Sequence, residues 1–235
     1  MIWNVNVGQN IFEQYTEFSE VNWLRVWAAT KETVFMSFAS VVAVFFLGLV
    51  IGLLLFETQE QKSLFSKIIN RLVAFFVNVF RSIPFIILIV LLLPFTKEIV
   101  GRITGPVAGI PALIIAAAPF FGRLVETGFR EIDRGVLEAA ESMGASKLEI
   151  IFKVLLPESL PSIVAGITTT AISLVGYTAM AGVIGAGGLG NLAYLEGFQR
   201  SQPTVTLVAT VFILIIVFII QITGDILVKN VDKRS

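Results

Sequence analysis

The chain has 235 residues, of which 56% are hydrophobic and only 14% are charged, and its mean hydropathy is +0.88. Soluble domains carry roughly 25% charged residues, so this composition excludes an ordinary soluble domain and indicates a helical membrane protein. The formal net charge is zero, which gives no support for nucleic-acid binding. The absence of Cys and His excludes thiolate nucleophiles, disulfides and imidazole chemistry.

Residues 1–28 precede the first long apolar run, and they are predicted to form an extracytoplasmic segment. Met1–Gln9 lacks the basic stretch that opens a signal peptide. Two interpretations of the segment stay open. Its tryptophans, Trp3, Trp23 and Trp27, favour an amphipathic piece at the lipid headgroups, whereas its mixed composition also fits a loosely ordered tail.

Five apolar runs follow, and each is long enough for the roughly 20 residues that cross a bilayer as a helix. The sequence therefore predicts an all-α, polytopic membrane protein with five transmembrane helices. They are placed at Thr33–Phe56, Leu72–Phe95, Pro106–Leu124, within Ser159–Ile184, and at Thr204–Leu227. The second run contains Arg81 and Pro84. A charge at mid-membrane costs about 2.5–3.5 kcal/mol, so Arg81 either faces protein or water, or flanks a shorter span.

The distribution of basic residues predicts the orientation in the cell membrane. The 17 Lys and Arg residues divide twelve to five between the two sides of the five-span arrangement. Cytoplasmic loops carry the excess of basic residues, so the side with twelve is predicted to face the cytoplasm. The N-terminus then lies outside, and residues 225–235 form a cytoplasmic tail.

A charged loop, at about residues 125–158, separates the third and fourth spans on the predicted cytoplasmic side. Asp133 is a candidate N-cap for a short helix through Met143. Gly144 follows where a left-handed residue would end that helix. The first half of the loop is therefore predicted to be a helix closed by a tight turn.

The second half of the same loop carries its own helix signals. Ser146, followed three residues later by Glu149, has the pattern of a capping box. Pro157 is expected to stop this second helix or to bend it towards the fourth span. The loop thus reads as helix, tight turn and helix, and on these residues alone it is either a docking element or a solvated connector.

A longer motif runs through this loop. Glu138-Ala139-Ala140, three residues, Gly144, nine residues and Val154-x-Leu156-Pro157 resemble the EAA signature of ABC-importer permeases, with Val154 in place of Ile. The resemblance implies a type I ABC-importer permease fold, with an ABC transmembrane domain over residues 29–224. It also implies that the loop docks on an ATPase through Glu138, Ala139, Ala140, Gly144, Leu156 and Pro157.

Further segments narrow the resemblance to the methionine importer permease subfamily. They are Phe80–Leu88, Ala117–Phe120, Val175–Met180 and Gly185–Gly190. The resemblance implies a homodimer in the cell membrane with two ATP-binding subunits and an extracytoplasmic binding lipoprotein. The implied cargo is methionine, of D or L configuration, or alternatively another small amino acid or organic solute.

The implied binding of ATP by a separate subunit agrees with the absence of an ATP-binding motif in this chain. No Gly in the chain is followed by Lys, so there is no Walker A loop. We therefore expect ATP and Mg²⁺ to bind to a partner ATPase, no cofactor to bind to this chain, and no catalytic site to be present in it.

The last span but one ends in a glycine cluster. Gly185-x-Gly187-x-x-Gly190 matches the dinucleotide fingerprint, but that fingerprint requires a preceding strand. The uncharged stretch Ser159–Leu195 has 37 residues, more than one span needs, so a helix break is predicted at these glycines. By resemblance, Tyr177 and Met180 are candidate gate residues, and an ordinary packing role for Met180 stays open.

Two other classes of function can be compared with an importer permease. An ion-coupled secondary transporter normally carries carboxylates inside the membrane, and spans one, four and five carry none in their apolar cores. A membrane-embedded enzyme needs a nucleophile and base or a metal cluster, and the sequence shows no such constellation.

Overall fold

The computed structural model describes residues 15–60 and 63–232, and within these ranges the chain forms helices and turns without a β-strand. The helices are α1 Trp23–Glu60, α2 Leu64–Ser82, α3 Phe85–Leu91, α4 Leu93–Val100, α5 Pro106–Arg130, α6 Arg134–Ser142, α7 Lys147–Ile150, α8 Leu156–Ala181, α9 Gly188–Leu192 and α10 Pro203–Val231. A 3₁₀ turn lies at Phe18–Glu20, and π-helical turns lie at Ile151–Leu155, Gly182–Ala186 and Ala193–Gln199.

The described helices confirm the all-α, membrane-spanning class. Four helical stretches are long and apolar enough to cross a bilayer: α1, α5, Lys147–Ala186 and α10. The pair α2 and α3 supplies a fifth span when the two pieces are taken together. The described residues therefore contain four spans, or five if this pair, which is bent by 108° at its break, counts as one span.

The helix that contains the first span begins at Trp23, ten residues before the predicted start of the span at Thr33. Asn22 caps it, because its Oδ1 accepts a hydrogen bond from the Arg25 N–H at 3.2 Å. The Lys31 ammonium lies 5.4 Å from the ring centroid of Trp27, so the charge is accommodated on the helix surface. The predicted segment 1–28 thus ends inside a helix, and its residues 1–14 lie outside the described range.

The break in the second span follows from proline chemistry. The residue before a proline is driven into extended backbone, and Ile83 has φ −78° and ψ 124° directly before Pro84. Arg81 occupies the last turn of α2 with its guanidinium 5.9 Å from the centroid of Phe120. The charge therefore lies at a helix end, against an aromatic ring and beside the bend between α2 and α3.

One compact unit comprises the residues up to Ser40, Pro84–Ile114 and Ala171–Ile219. Its apolar cluster joins the segment around the start of α1 to α9 and the first half of α10. The buried members are Val21, Val26, Ala29, Leu189, Leu192, Val205, Val208 and Ala209. This cluster fixes the segment after the glycine-rich break against the beginning of the chain's first helix.

The other compact unit comprises Val41–Ile83, Ile115–Thr170 and the residues from Ile220 onwards. Here α1 and α5 cross closely, because Gly52 faces the backbone of Gly122 and the side chain of Val125. Small residues allow such close helix approach in membrane proteins. Aromatic pairs fill the rest of the crossing, with Phe45 on Phe121 and Phe56 on Phe129.

Replacing Gly52 with Ala should destabilise the folded chain by about 1–3 kcal/mol, the range for overpacking. The added Cβ would lie 2.5 Å from Val125 Cγ1 and 2.8 Å from the carbonyl oxygen of Gly122. Alanine gains roughly 1 kcal/mol over glycine in a helix, but a backbone oxygen cannot rotate away. Thermal unfolding in detergent, followed by tryptophan fluorescence, measures the difference.

The matched control is Val50→Ile, which adds volume on the exposed face of the same helix. This control should change stability by less than about 0.5 kcal/mol. Equal unfolding midpoints for Gly52→Ala and the unmodified chain would contradict the close crossing of α1 and α5.

Candidate functional site

The loop between the third and fourth spans has the predicted helix–turn–helix form. Asp133 caps α6, since its Oδ1 accepts from the N–H of Gly135 at 2.7 Å. Gly144 has φ +82° and ends the helix. The Gly144 N–H donates to Glu141 O at 2.9 Å and the Ala145 N–H to Ala140 O at 3.1 Å, which is the Schellman pattern. The turn is therefore closed by backbone hydrogen bonds that need a left-handed residue.

The capping box at the start of α7 is also present. The Glu149 N–H donates to Ser146 Oγ at 3.4 Å, and Glu149 Oε2 accepts from the Ser146 N–H at 3.1 Å. Lys153 Nζ lies 2.9 Å from Glu149 Oε1. The Lys153 hydrogen bond, with those from Ser146, lowers the pKa of Glu149 to about 2. This carboxylate precedes the uncharged stretch that starts at Ser159, so it lies outside the apolar segment and stays charged at neutral pH.

Pro157 does not stop the second helix, so that part of the expectation is wrong. The helical stretch continues from Lys147 to Ala186. A π-helical turn at Ile151–Leu155 comes directly before the proline, and its last hydrogen bond runs from the Leu156 N–H to Ile151 O. A proline removes one donor and crowds the preceding turn, and a widened turn accommodates both effects. The loop therefore passes without interruption into α8.

The six candidate docking residues divide into two groups by burial. Ala140 is 5% exposed and packs inward. Glu138, Ala139, Gly144 and Pro157 lie on the surface, and Leu156 is half-buried. The motif thus combines one residue that holds α6 against its own unit with others that a partner can reach.

Sequence reasoning missed the apolar side chains on the outer face of this loop. Met143 is 82% exposed at the turn, and Leu148 and Phe152 are 67% and 66% exposed on the following helical turns. Leu148 and Phe152 are four residues apart, which places them on one helical face. This spacing could have predicted the apolar face from the sequence. Exposed apolar groups beside charged ones are typical of a protein-binding surface.

An open cleft of about 660 Å³ lies beside the loop. Its lining contains acidic, basic and apolar side chains. The polar lining includes Glu57, Gln59, Arg130, Arg134, Glu138, Glu141 and Lys147. The apolar lining includes Phe56, Phe129 and Leu155. The cleft gives α6 a polar surface on the side that faces its own unit.

Glu126 braces the base of the loop, and it was also missed. It is 2% exposed and forms ion pairs with Arg123 and Arg130 on the same helix. Arg130 in addition donates to Gln59 of α1. A buried carboxylate is stable only when paired, and this pairing ties the end of α1 to the helix that leads into the loop. The predicted span ended at Leu124, so the sequence reading placed Glu126 outside the membrane helix.

The candidate gate residues lie on the last two turns of α8. The Tyr177 ring stacks on Phe85, with centroids 4.6 Å apart and an interplanar angle of 12°. Met180 is 46% exposed. Tyr177 is therefore partly engaged in packing, whereas Met180 points away from the core of its unit.

The predicted helix break at the glycine cluster is present. Gly185, Gly187 and Gly188 have φ of +97°, +84° and +79°, values that L side chains rarely adopt. A helix precedes this segment, so the strand required by the dinucleotide fingerprint is absent at this place. Within the described residues, no group of three or more acidic side chains is placed to hold a metal ion.

Comparison with known proteins gives the class. The family described as binding-protein-dependent transport system inner membrane component matches residues 45–235. The methionine import system permease protein MetP of Bacillus subtilis is 56% identical, over 95% of this chain and 100% of the relative. The probable D-methionine transport system permease protein MetI of Pasteurella multocida is 43% identical, over 90% of this chain and 98% of the relative.

A solved structure agrees with the sequence relatives. A chain of the MetNI methionine ABC transporter, in an inward-facing conformation, matches with a TM-score of 0.87 at 43% identity. The match covers 90% of this chain and 98% of that one. The resemblance drawn from the loop motif is confirmed, and the fold is that of a type I ABC importer permease. The chain belongs to the family of inner membrane components of binding-protein-dependent transport systems, the permease subunits of ABC importers.

Replacing Gly144 with Val should open the turn between α6 and α7. A β-branched side chain in the left-handed region costs about 1–2 kcal/mol, and Gly144 has φ +82°. We expect amide hydrogen exchange in the peptide around residues 138–146 to become roughly tenfold faster. Gly144→Asn is the control, because Asn tolerates this backbone region. Equal exchange in both variants would contradict a turn that depends on the left-handed residue.

Proposed function

We propose that this chain is the membrane-spanning half of an ATP-driven importer for methionine of D or L configuration. Two copies would assemble with two ATP-binding subunits and receive cargo from an extracytoplasmic binding protein. The observation that carries the importer assignment is the capped helix–turn–helix with the Glu138–Pro157 motif. The 56% identity to a methionine import permease supports the cargo.

The chemistry of the transport cycle is divided between chains in this proposal. The chain has no Walker A loop and neither His nor Cys, so ATP and Mg²⁺ bind to the partner ATPase, where hydrolysis takes place. This chain has no catalytic site of its own. It supplies the passage, and ATP binding and hydrolysis drive alternating access through it.

The loop at residues 125–158 is the proposed coupling element. Met143, Leu148 and Phe152 offer apolar contact to a groove of the ATPase, and Glu138 offers charge-assisted bonds to basic residues there. Gly144 shapes the turn that presents them. Because the helix passes through Pro157 without ending, movement of the loop is transmitted directly to α8.

The proposed orientation puts this loop in the cytoplasm. The excess of basic residues on its side, twelve against five, supports that assignment. Residues 1–28 then form the extracytoplasmic segment, residues 29–224 the transmembrane domain, and residues 225–235 the cytoplasmic tail. The chain is a multi-pass protein of the cell membrane, with its N-terminus outside.

Tyr177 and Met180 are the proposed gate residues of the passage. Met180 is exposed on α8 while its neighbour Thr178 is buried, so this face is free to meet the equivalent face of a second copy. A methionine side chain is flexible and apolar. Two of them can therefore close a narrow passage and still yield to cargo.

The direct test is reconstitution of the chain with its ATPase in vesicles. Labelled methionine should enter only with ATP and the loaded binding protein. Gly144→Val should reduce co-purification of the ATPase and lower uptake at least roughly tenfold, whereas Gly144→Asn should retain both. Uptake of a different amino acid alone would contradict the cargo. Uptake driven by an ion gradient without ATPase would support a secondary transporter instead.

Met180→Ala tests the gate separately. The substitution removes the side chain at an exposed position, so assembly with the ATPase should be retained. The passage should seal less well, and basal ATP hydrolysis without binding protein should rise by a factor of roughly 2 to 10. Measured ATP turnover and uptake equal to those of the unmodified complex would contradict the gate. Leu160→Ala, on an exposed residue near the other end of α8, serves as the matched control.

A further inference from the structure

The glycine-rich break after α8 frees backbone groups that a continuous helix would have paired. Unpaired N–H and C=O groups are costly inside an apolar medium, so each needs a partner from elsewhere. Two consecutive donors, the N–H groups of Gly188 and Leu189, find theirs on α1. Glu32 Oε2 accepts from Gly188 at 2.7 Å, and Thr33 Oγ1 accepts from Leu189 at 2.9 Å.

The fit around these two hydrogen bonds is close. A Cβ atom added to Gly187 would lie 2.6 Å from Glu32 Oε2, and one added to Gly188 would lie 2.7 Å from Thr33 Oγ1. Thr33 is 2% exposed, and Met36, one turn further along α1, is fully buried. The glycines are therefore required both by their positive φ angles and by the approach of the α1 side chains.

The acceptors released by the break are also paired. The Gly105 N–H donates to Gly185 O at 2.9 Å, and Asn191 Nδ2 donates to Gly182 O at 2.9 Å. These partners come from the segment before α5 and from α9. The break is thus fixed on several sides, and α1 contributes side-chain acceptors to two of its N–H groups.

We propose that Glu32 and Thr33 are positioning residues for transport, which hold the glycine turn in one conformation and thereby set the end of α8. This proposal rests on the importer function proposed above. Met180 lies five residues before Gly185 on the same helical stretch, so any reorientation of the turn moves the candidate gate. Glu32 and Thr33 precede residue 45, where the family match begins, and they were not predicted from the sequence.

The threonine offers a matched pair of variants. Thr33→Val keeps the shape of the side chain but removes the acceptor, whereas Thr33→Ser keeps the acceptor and removes a methyl group. For the assembled complex in lipid nanodiscs, Thr33→Val should make amide exchange across residues 185–192 roughly tenfold faster than Thr33→Ser does. Stimulation of ATP hydrolysis by the loaded binding protein should fall several-fold in Thr33→Val and be retained in Thr33→Ser.

A second pair of variants, at Glu32, tests the proposal independently in case Thr33→Val does not fold normally. Glu32→Gln keeps an oxygen acceptor for the Gly188 N–H, and Glu32→Ala removes it. We expect Glu32→Ala, and not Glu32→Gln, to reproduce the faster exchange and the reduced stimulation with normal yield of the assembled complex.

The results of these experiments distinguish a failure of the positioning role from a failure of the methionine assignment. Unchanged exchange in Thr33→Val and Glu32→Ala would show that the hydrogen bonds do not hold the turn. Faster exchange with full stimulation of ATP hydrolysis would reduce both residues to a structural role and overturn the proposal. An unmodified complex that is stimulated by its binding protein but carries no methionine would contradict the cargo alone, because neither readout depends on which solute is carried.

Discussion

The structure depends on the rule that backbone polar groups in an apolar medium must be paired within the protein. The long helices pair these groups by their own hydrogen bonds. Where the helix is irregular, other groups or a changed turn geometry take over the pairing. At Gly185–Gly188 the compensation comes from Glu32, Thr33, Gly105 and Asn191. At Ile151–Leu155 a π-helical turn accommodates Pro157, which has no backbone N–H to donate. Substitute hydrogen bonds at the glycine break and a widened turn before Pro157 thus accompany these two irregular segments.

The backbone groups of the proposed coupling loop, which lies outside the apolar segments, are paired by a different means. Its partners are its own neighbours in sequence: Asp133 at one end of α6, the Schellman turn at Gly144 at the other, and the Ser146–Glu149 box at the start of α7. Such local closure makes the loop a defined shape rather than a flexible connector. A shaped loop that continues into α8 can transmit a displacement, and this links the local capping chemistry to the proposed transport cycle.

The sequence predicted features with local causes. The caps at Asp133 and Ser146, the left-handed Gly144 and the glycine break all follow from residue type and spacing, and the structure confirms them. Features that depend on distant partners were missed. Glu32 accepts from the glycine turn 156 residues away, and Arg130, an ion-pair partner of Glu126, donates to Gln59 of α1, 71 residues away. The helix α1 begins before the predicted span because a helix can carry Arg25 and Lys31 on its surface.

The central claim is that the tip of the 125–158 loop contacts the ATPase. Because the chain has no cysteine, a single Met143→Cys substitution places one reactive thiol at the 82% exposed tip. A short thiol-reactive photo-cross-linker on that residue should capture the ATP-binding subunit in the assembled complex, whereas the same label on Lys97→Cys, at the end of α4, should not. Capture from residue 97, or none from residue 143 in an intact complex, would contradict the account.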